Sequence, residues 1–225
     1  MRLLTINIQH GGGSRVARLL DFVISASPDV TVLSEYREND RGRAIRAGLF
    51  SSGYCWQAAS SIEPRENCVF IASTQPFVVT RCDQQLLAAR FAGIDVVGVY
   101  FPQNEAKRPV FDRLRQEIVP TLATRAVVMG DFNTGRPYED ETADTFFCAD
   151  CFDQLLEAGL IDTWRKRNPT AREFTWISRA GNGFRVDHAL CSEDLDSKVS
   201  TVQYLHTCRT PGITDHSGLL LEYDA

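Results

Sequence analysis

The amino-acid sequence predicts an α/β protein in which stacked β-sheets are covered by helices. Strand-like and helix-like segments alternate along all 225 residues, with no linker and no internal repeat. The strand-like segments outnumber the helical ones, which favours stacked sheets over a simple doubly wound sheet. The hydrophobic content of 44% is ordinary for a globular protein, and the length predicts one domain over residues 1–225.

The first half of the chain contains two predicted helices among several predicted strands. Leu3 to Ile8 has the apolar residues of a strand, and Val30 to Leu33 is a short buried strand. Apolar residues from Val16 to Ile24 recur at the period of a helix. We expect Ser14 to cap this helix and Pro28 to end it. Three β-rich runs follow, at 68–73, 86–91 and 94–101, and Ala92-Gly93 joins the last two as a hairpin signal. The second helix is predicted from Val110, Phe111, Leu114 and Ile118, and Pro120 ends it.

The second half adds one helix and several strands. Ala126 to Met129 is an apolar run typical of a buried strand. Phe152, Leu155 and Leu156 mark the helix. The late strands are predicted at 174–177, 185–191, 199–205 and 218–223.

The segment Gly130-Asp131-Phe132-Asn133 says most about function. It follows the strand of Ala126 to Met129, so it places a carboxylate and an amide together at the edge of a sheet. The glycine lets backbone or substrate approach closely. An ordinary turn is the other interpretation, because Gly, Asp and Asn all favour turns.

Counting Asp131 and Asn133, polar residues follow or precede apolar strands at six places in the chain. Each of them alone is compatible with a solvated loop, but six such places favour one shared site. Carboxylates and an Asn carbonyl suit Mg²⁺ or Mn²⁺, while Asp, His and Tyr supply acid–base and anion-stabilising groups. This chemistry suits the hydrolysis of a phosphate ester. The residues are Asn7, Gln9, Glu35, Tyr100, Asp131, Asn133, Asp187, Asp215 and His216.

The order of these motifs resembles that of the endonuclease/exonuclease/phosphatase superfamily over nearly the whole chain. The sequence is most similar to the exonuclease III branch of AP endonucleases. Tyr100 supports that branch, because deoxyribonuclease I and the inositol phosphatases typically carry histidine there. The motifs are Thr5-Ile6-Asn7, Leu33-Ser34-Glu35, Tyr100-Phe101-Pro102-Gln103, Gly130-Asp131-Phe132-Asn133, Arg185-Val186-Asp187 and Thr214-Asp215-His216.

The resemblance implies a four-layer α/β sandwich, with two packed mixed β-sheets flanked by helices, as in deoxyribonuclease I. It also implies that Glu35 is the main ligand of a divalent metal, Mg²⁺ with Mn²⁺ as a substitute, with Asn7 and Asp215 close by. Asp131 would orient or deprotonate the attacking water, and Asn133 would help to hold the water or the phosphate.

The resemblance assigns the remaining roles to groups around the scissile phosphate. His216 would contact the phosphate and be oriented by Asp187, while Tyr100 would bind the phosphate or assist the leaving oxygen. Trp176 and Phe184 match positions that form an apolar pocket for a base-free sugar, although both are equally compatible with core aromatics. The expected substrate-binding residues are Gln9, Arg185, Trp176 and Phe184.

The sequence departs from the family pattern at two places. Gln9 stands where the family usually has Asp or Asn, so a charged ligand is missing there. The segment 138–144 is short and acidic, where the AP endonucleases carry longer DNA-contacting loops. Such a run would repel DNA phosphates unless it points away or holds metal, and a solvated loop is the favoured interpretation. Specificity for abasic sites therefore stays open.

Three functions remain for comparison. The first is a magnesium-dependent nuclease that hydrolyses DNA phosphodiester bonds, with AP endonuclease activity as one form of it. The alternative is a phosphatase or small-molecule phosphodiesterase on the same scaffold, which the net charge of −5 favours. The third, a catalytically inert binding module, does not account for the full set of acid–base residues.

The cysteines and the N-terminus predict a location. Seven cysteines, an odd number in a large domain, indicate free thiols in a reducing, cytoplasmic setting. Cys148 and Cys151 have the spacing of half a zinc site, but no second pair completes it. The sequence shows no signal peptide and no apolar run of ~20 residues, so we expect no membrane contact. We also expect a monomer.

Overall fold

The computed structural model describes residues 1–209 and 212–224. These residues form fourteen strands and six α-helices, with short 3-10 and π segments between them. The strands are β1 (Arg2–Asn7), β2 (Val30–Tyr36), β3 (Trp56–Ala59), β4 (Cys68–Ser73), β5 (Val78–Asp83), β6 (Leu86–Phe91), β7 (Ile94–Tyr100), β8 (Ala126–Asp131), β9 (Ile161–Asp162), β10 (Trp176–Ile177), β11 (Gly183–Phe184), β12 (Asp187–Cys191), β13 (Val199–Leu205) and β14 (Gly218–Tyr223). The helices are α1 (Val16–Ala26), α2 (Asp40–Ser51), α3 (Arg108–Arg113), α4 (Ala149–Glu157), α5 (Thr163–Arg167) and α6 (Glu193–Asp196).

Two six-stranded sheets form the centre of the molecule. The strand order is β13-β14-β1-β2-β4-β3 in the first sheet and β5-β6-β7-β8-β12-β9 in the second. Both sheets are mixed, because β1 pairs with β2 in parallel and β7 pairs with β8 in parallel, while the other pairs are antiparallel. A small two-stranded sheet, β10 with β11, lies outside them.

The core has three apolar layers. Side chains from both sheets, such as Val32 and Met129, meet between the sheets in one buried cluster. A second cluster lies where α1 and α2 cover the first sheet, and a third lies where α3 and α4 cover the second sheet. The order is therefore helices, sheet, sheet, helices, which confirms the predicted four-layer sandwich.

Several predicted elements agree with the structure, and the disagreements have local causes. The first helix and the hairpin at Gly93 are present. Ser14 is not the cap that we predicted, because it lies in a 3-10 segment, His10–Arg15, and Arg15 precedes α1 without a side-chain cap. The sequence pattern did not reveal the edge strands β3 and β5. Residues of β5 are largely exposed and those of β3 are only partly buried, so both strands lack the apolar alternation of a buried strand.

The seven cysteines, all inside the described ranges, are free thiols. We searched residues 1–209 and 212–224 for His, Cys, Asp and Glu side chains close enough together to hold a metal. The group found is Asp131, Asp187 and His216. Within these residues, Cys148 and Cys151 belong to no such group. None of the helices in the described part combines the length and apolar character that a membrane crossing needs.

Candidate active site

Most of the polar residues at the strand ends line one cleft of about 400 Å³. The pairing of the strands explains why. Because β7 and β8 are parallel and β12 is antiparallel to β8, Tyr100, Asp131 and Asp187 lie at the same edge of the second sheet. Asn7 ends the neighbouring strand β1 of the first sheet. Residues distant in sequence thus share one rim.

Asp131 is the most buried carboxylate of the cleft, at 1% exposure. Its Oδ2 accepts a hydrogen bond from Asn7 Nδ2 at 2.8 Å, and its Oδ1 accepts one from the backbone N–H of Asn133 at 2.8 Å. Burial and the nearby Asp187 raise the pKa of Asp131 to about 7, although His216 acts in the opposite direction. A carboxylate with such a pKa can accept a proton at neutral pH.

Gly130 allows β7 and β8 to approach each other next to this carboxylate. Its φ of 147° lies in a region that side chains disfavour. A Cβ at this position would lie 2.1 Å from the carbonyl oxygen of Val99. Glycine is therefore required for the backbone that presents Asp131.

His216, which lines the cleft, forms a buried pair with Asp187. His216 Nδ1 lies 2.9 Å from Asp187 Oδ2, and both side chains are almost fully buried. Burial alone would lower the pKa of His216, but the carboxylates of Asp187, Asp131 and Asp215 raise it to about 10. His216 is therefore a cation at neutral pH, with its other ring nitrogen free of this pair.

Glu35 lies on a distorted part of β2. Its φ is 57°, and the pairing of β2 with β4 shifts register between Leu33 and Tyr36, which marks a bulge. Its carboxylate accepts hydrogen bonds from Asn7 Nδ2 at 3.1 Å and from the backbone N–H of His10 at 2.8 Å. Strained backbone of this kind concentrates at functional sites, and here it aims a carboxylate into the cleft.

The donor set of this region fits a hard divalent cation. Glu35 and Asp215 both line the cleft, and Asn7 touches Glu35 and Asp131 from behind. Asp215 Oδ2 accepts a hydrogen bond from the Trp176 indole at 3.3 Å, which orients the carboxylate. Oxygen ligands from carboxylates and amides are those that Mg²⁺ and Mn²⁺ prefer.

Tyr100 lines the cleft close to Glu35. Its hydroxyl accepts a hydrogen bond from Asn67 Nδ2 at 3.3 Å. Burial and the Glu35 carboxylate raise the pKa of Tyr100 above its usual range. The phenol therefore keeps its proton at neutral pH and can donate it in a hydrogen bond.

Lys107 is a site residue that the sequence analysis missed. It is 1% exposed and lines the cleft, and its ammonium donates a hydrogen bond to the backbone carbonyl of Asn133. Asn133 itself has a left-handed φ of 50°, and its Nδ2 donates to the carbonyl of Phe101 at 2.7 Å. Burial lowers the pKa of Lys107. The sequence around Lys107 does not distinguish it from an ordinary exposed lysine at the start of a helix.

Four aromatic side chains form one wall of the cleft. We call Phe146, Phe147, Trp176 and Phe184 the aromatic wall. The rings of Trp176 and Phe184 are 5.6 Å apart, and those of Phe146 and Phe184 are 5.7 Å apart. Trp176 and Phe184 were predicted from the sequence, but Phe146 and Phe147 were not, because these two follow the acidic segment 138–144, which we interpreted as a loop.

Arg185 does not lie where we expected a substrate-binding residue. It is fully buried and forms ion pairs with Asp140 at 2.7 Å and with Asp162 at 2.6 Å. Arg165 also pairs with Asp140 at 2.8 Å. A guanidinium held by two buried carboxylates is not available to a ligand in the cleft, so the predicted role of Arg185 is wrong.

The same ion pairs correct our interpretation of the acidic segment 138–144. Asp140 and Glu141 are buried, at 0% and 1% exposure, and only part of the segment is a solvated loop. Asp140 pairs with both Arg185 and Arg165, which explains why an acid is needed there.

Gln9 lies beside the cleft rather than in it. It lines a neighbouring shallow hollow together with Arg15 and Asp215. Its side-chain oxygen accepts a hydrogen bond from the Arg15 guanidinium. Of the twelve predicted site residues, eight line the cleft itself: Glu35, Tyr100, Asp131, Asn133, Trp176, Phe184, Asp215 and His216.

Two packed mixed sheets between helices, with a carboxylate- and histidine-lined cleft at the strand ends, define a protein of the deoxyribonuclease I-like class. The chain belongs to the Endonuclease/Exonuclease/phosphatase family, whose model matches residues 4–216. Sequence comparison with curated proteins gave no significant match.

Solved structures share the fold over the full length of both chains. An AP endonuclease from Archaeoglobus fulgidus is 23% identical, with a TM-score of 0.86. The 3′ phosphatase NExo from Neisseria, bound to a product DNA hairpin, is 22% identical, with a TM-score of 0.86. A further structure, of the 3′-5′ exonuclease NExo from Neisseria meningitidis, is 22% identical, with a TM-score of 0.84.

Proposed function

We propose that the protein is a divalent-metal-dependent phosphodiesterase that hydrolyses phosphodiester bonds of DNA. In this proposal it is a nuclease similar to exonuclease III, with cleavage beside abasic sites as one form of the activity. The observation that carries the proposal is the cluster of Asp131, Asp187 and His216, whose ligand atoms lie within 4.8 Å of one another in the same cleft as Glu35.

Asp131 is the proposed base in this reaction. Its carboxylate accepts the proton of the attacking water, and its pKa of about 7 makes it an acceptor at neutral pH. The hydrogen bonds from Asn7 and Asn133 hold the carboxylate in place. Asn133 keeps its position through the contacts of Lys107 and Phe101.

His216 and Tyr100 are the proposed partners of the phosphate. The cationic imidazole stabilises negative charge that develops on the phosphate oxygens, and Asp187 fixes its orientation. The protonated phenol of Tyr100 donates a hydrogen bond to the phosphate or to the leaving oxygen.

Glu35, Asn7 and Asp215 are the residues that we propose to hold the metal, which would be Mg²⁺, with Mn²⁺ as a substitute. A bound divalent ion supplies Lewis acidity and neutralises charge on the phosphate. The cluster of Asp131, Asp187 and His216 is a second possible set of ligands, but His216 Nδ1 is already engaged by Asp187. We therefore assign that cluster to proton transfer and phosphate contact.

The relatives support DNA as the substrate. One is named as an AP endonuclease, one as a 3′-5′ exonuclease, and one was solved with a product DNA hairpin. A phosphatase or small-molecule phosphodiesterase is the second candidate. It is favoured by the acidic segment 138–144 beside the cleft and by the description of one relative as a 3′ phosphatase.

A substrate panel tests the proposed function. The purified chain with Mg²⁺ is given a duplex with one abasic site, a plain duplex, single-stranded DNA, a 3′-phosphorylated oligonucleotide and an aryl phosphate. Cleavage of internucleotide bonds that stops when EDTA is added supports the nuclease. Activity confined to the two phosphomonoesters supports the phosphatase, and inactivity on all substrates with several metals contradicts both.

Glu35→Ala tests the metal assignment in the same assay. We expect the Mg²⁺ concentration for half-maximal activity to rise steeply, because the principal carboxylate ligand is lost. Glu38→Ala is a matched control, since Glu38 is a carboxylate three residues away that pairs with Arg46 instead. An unchanged metal requirement in Glu35→Ala would exclude Glu35 as the principal ligand.

Three broader expectations complete the proposal. We propose a single catalytic domain over residues 1–225, in agreement with the core that both sheets share. We propose that the protein acts in the cytoplasm, in agreement with its free thiols, and that it is a monomer. A role in DNA repair would follow if the abasic duplex is the preferred substrate.

A further inference from the structure

The cleft contains an amine that the proposed hydrolysis does not use as a reactant. Lys107 lines the cleft at 1% exposure, so its amino group is shielded from bulk solvent but borders the space that a substrate would occupy. Its ammonium donates a hydrogen bond to the backbone carbonyl of Asn133. Lysine is almost never fully buried unless it is paired, so this position needs an explanation.

Lys107 forms no ion pair with a carboxylate in the described part of the chain. Glu105 acts on it through charge but is held by the Arg108 guanidinium at 3.1 Å. Asp131 also acts on it through charge alone and accepts its hydrogen bonds from other groups. Burial therefore dominates and lowers the pKa of Lys107, which increases the fraction of uncharged amine at neutral pH.

An uncharged lysine amine is a nucleophile that condenses with a carbonyl group. DNA presents a carbonyl where a base has been lost, because the open-chain form of the remaining sugar carries an aldehyde at C1′. That sugar is bonded directly to a phosphate, and His216, the proposed phosphate contact, lines the same cleft as Lys107. The cleft volume of about 400 Å³ is in the range of sites that hold small ligands, which leaves space for one such sugar.

The same cleft supplies a proton acceptor for the chemistry that follows imine formation. Asp131 lines the cleft, and its pKa of about 7 suits the carboxylate to accept a proton at neutral pH. The carboxylate is also close enough to Lys107 to act on the charge of the amine. A nucleophile and a base therefore border one space.

We propose that Lys107 gives the protein a second activity on abasic DNA, an elimination in which the lysine amine forms an imine with the C1′ aldehyde. This inference rests on the part of the proposed function that places abasic DNA in the cleft. It differs from that function in its chemistry, because the strand is cut by breaking a carbon–oxygen bond and no water attacks phosphorus.

The reaction balances with water as its only co-reactant. The Lys107 nitrogen attacks C1′, and loss of water leaves a protonated imine. Asp131 takes a proton from C2′, the C–H electron pair forms a carbon–carbon double bond, and the bond from C3′ to the phosphate oxygen breaks. The phosphate leaves with that electron pair, and the proton passes from Asp131 to solvent. Water then hydrolyses the imine, which restores the amine and releases an unsaturated aldehyde at the 3′ end.

Reductive trapping on the wild-type chain tests the inference. The protein in EDTA is mixed with a duplex that contains one abasic site and with sodium cyanoborohydride, which reduces an imine to a stable amine. Peptide mapping by mass spectrometry then locates the adduct among the three lysines of the chain, Lys107, Lys166 and Lys198. We expect the adduct on Lys107 and, without the reductant, strands that end in the unsaturated aldehyde.

The wild-type experiment can overturn the inference without any variant. No adduct, or an adduct spread over Lys166, Lys198 and the N-terminal amine, would show only the general reactivity of aldehydes with amines. An adduct on Lys107 without the unsaturated 3′ end would overturn the elimination.

Two substitutions of Lys107 separate a nucleophile from a structural contact. Lys107→Met removes the amine, and Lys107→Arg keeps a charged donor but forms no imine. Both should reduce the adduct at least about tenfold, because the reacting nitrogen is lost. Urea unfolding shows whether each variant is folded, and an adduct that persists in folded Lys107→Arg would overturn the inference.

Lys166→Met is the matched control, since the Lys166 side chain is 57% exposed and its ammonium pairs with Asp196 at 2.7 Å. We expect its adduct yield to equal that of the wild type. An equal loss in this control would contradict the assignment to Lys107.

A tetrahydrofuran analogue of the abasic site distinguishes this inference from the proposed function. The analogue has no aldehyde, so it can be hydrolysed with Mg²⁺ but cannot form an imine. Hydrolysis of the analogue with no adduct on the true abasic duplex overturns the elimination and leaves the nuclease standing. An adduct on Lys107 with the unsaturated end, but no hydrolysis of any duplex, sustains the elimination and overturns the nuclease.

Discussion

Two groups of buried charges in this protein use similar residues in opposite ways. The cleft cluster consists of Asp131, Asp187 and His216, and the sealed cluster consists of Arg185, Arg165, Asp140 and Asp162. The cleft cluster has two carboxylates for one cation, whereas the sealed cluster has two carboxylates for two guanidinium groups.

The difference in charge balance appears in the pKa values. Burial raises the pKa of Asp131, and the opposite effect of the His216 cation is too small to cancel that rise. Burial acts in the same direction on Asp140 and Asp162, but Arg185 lowers the pKa of both below its usual range. An incompletely balanced cluster can exchange protons near neutral pH, and a fully balanced one cannot. The first is therefore suited to chemistry and the second to holding the structure.

Asp131→Asn should produce the largest effect and only in the cleft cluster. We expect turnover of the preferred substrate to fall about 10³-fold, because the proposed base is lost. The free energy of unfolding should change by no more than about 2 kcal/mol, the cost of misplacing one amide donor. The measurements are steady-state kinetics and urea unfolding. A fall in activity that matches a fall in folded fraction would make Asp131 structural.

Arg185→Met should produce the converse result in the sealed cluster. Removal of the guanidinium leaves Asp140 and Asp162 buried without a partner, which should cost about 3–5 kcal/mol of unfolding free energy. Turnover per folded molecule should stay within a few-fold of the wild type. Arg43→Met is the control, since the exposed pair of Arg43 with Asp40 should contribute less than about 1 kcal/mol. Full stability together with a loss of turnover would restore Arg185 as a substrate contact.

Asp187→Asn should reduce kcat about 10²-fold and leave KM nearly unchanged, because it alters the charge and orientation of His216 rather than substrate contact. Loss of the Asp187 carboxylate should also lower the pKa of His216 from about 10. The alkaline limb of the pH–rate profile should therefore move to lower pH. Comparable changes in kcat and KM, with an unmoved alkaline limb, would contradict this role.

The free energy of unfolding should depend on pH with opposite signs in the two clusters. The lowered folded-state pKa values of Asp140 and Asp162 give stability that is present above pH ~4 and is lost as the pH falls below it. The raised pKa of Asp131 acts in the opposite sense, because the native state binds a proton more tightly than the unfolded chain. Its contribution is present below pH ~4 and is lost as the pH rises through about 7. Urea unfolding at pH 3, 5 and 8 measures both, and Asp131→Asn should flatten only the segment between pH 5 and 8.

The sequence predicted the cleft better than its surroundings for a physical reason. Residues such as Glu35 and Asp131 lie at the ends of apolar strands, and parallel or antiparallel pairing brings strand ends to a common edge. The layered fold could be predicted because α1 and the buried strands carry clear periodicity. The edge strands β3 and β5 carry no such periodicity, so they were missed.

Pairings between distant charges were not predictable in the same way. The sequence places Arg185 two residues before Asp187, and nothing local indicates that Asp140 and Asp162 neutralise it. Lys107 and Phe147 were missed for a similar reason, since their positions depend on where separate segments pack. An acidic run was interpreted as solvated because its partners lie far away in the chain.

Gly130 has a consequence for any search for loss-of-function variants. No side chain fits between its Cα and the Val99 carbonyl, so even alanine would force two central strands apart. Tyr100 and Asp131 are opposed in the register immediately beyond that point. A single added methyl group would thus misalign two proposed catalytic groups at once, and in a genetic screen the variant would resemble one that had lost a catalytic residue.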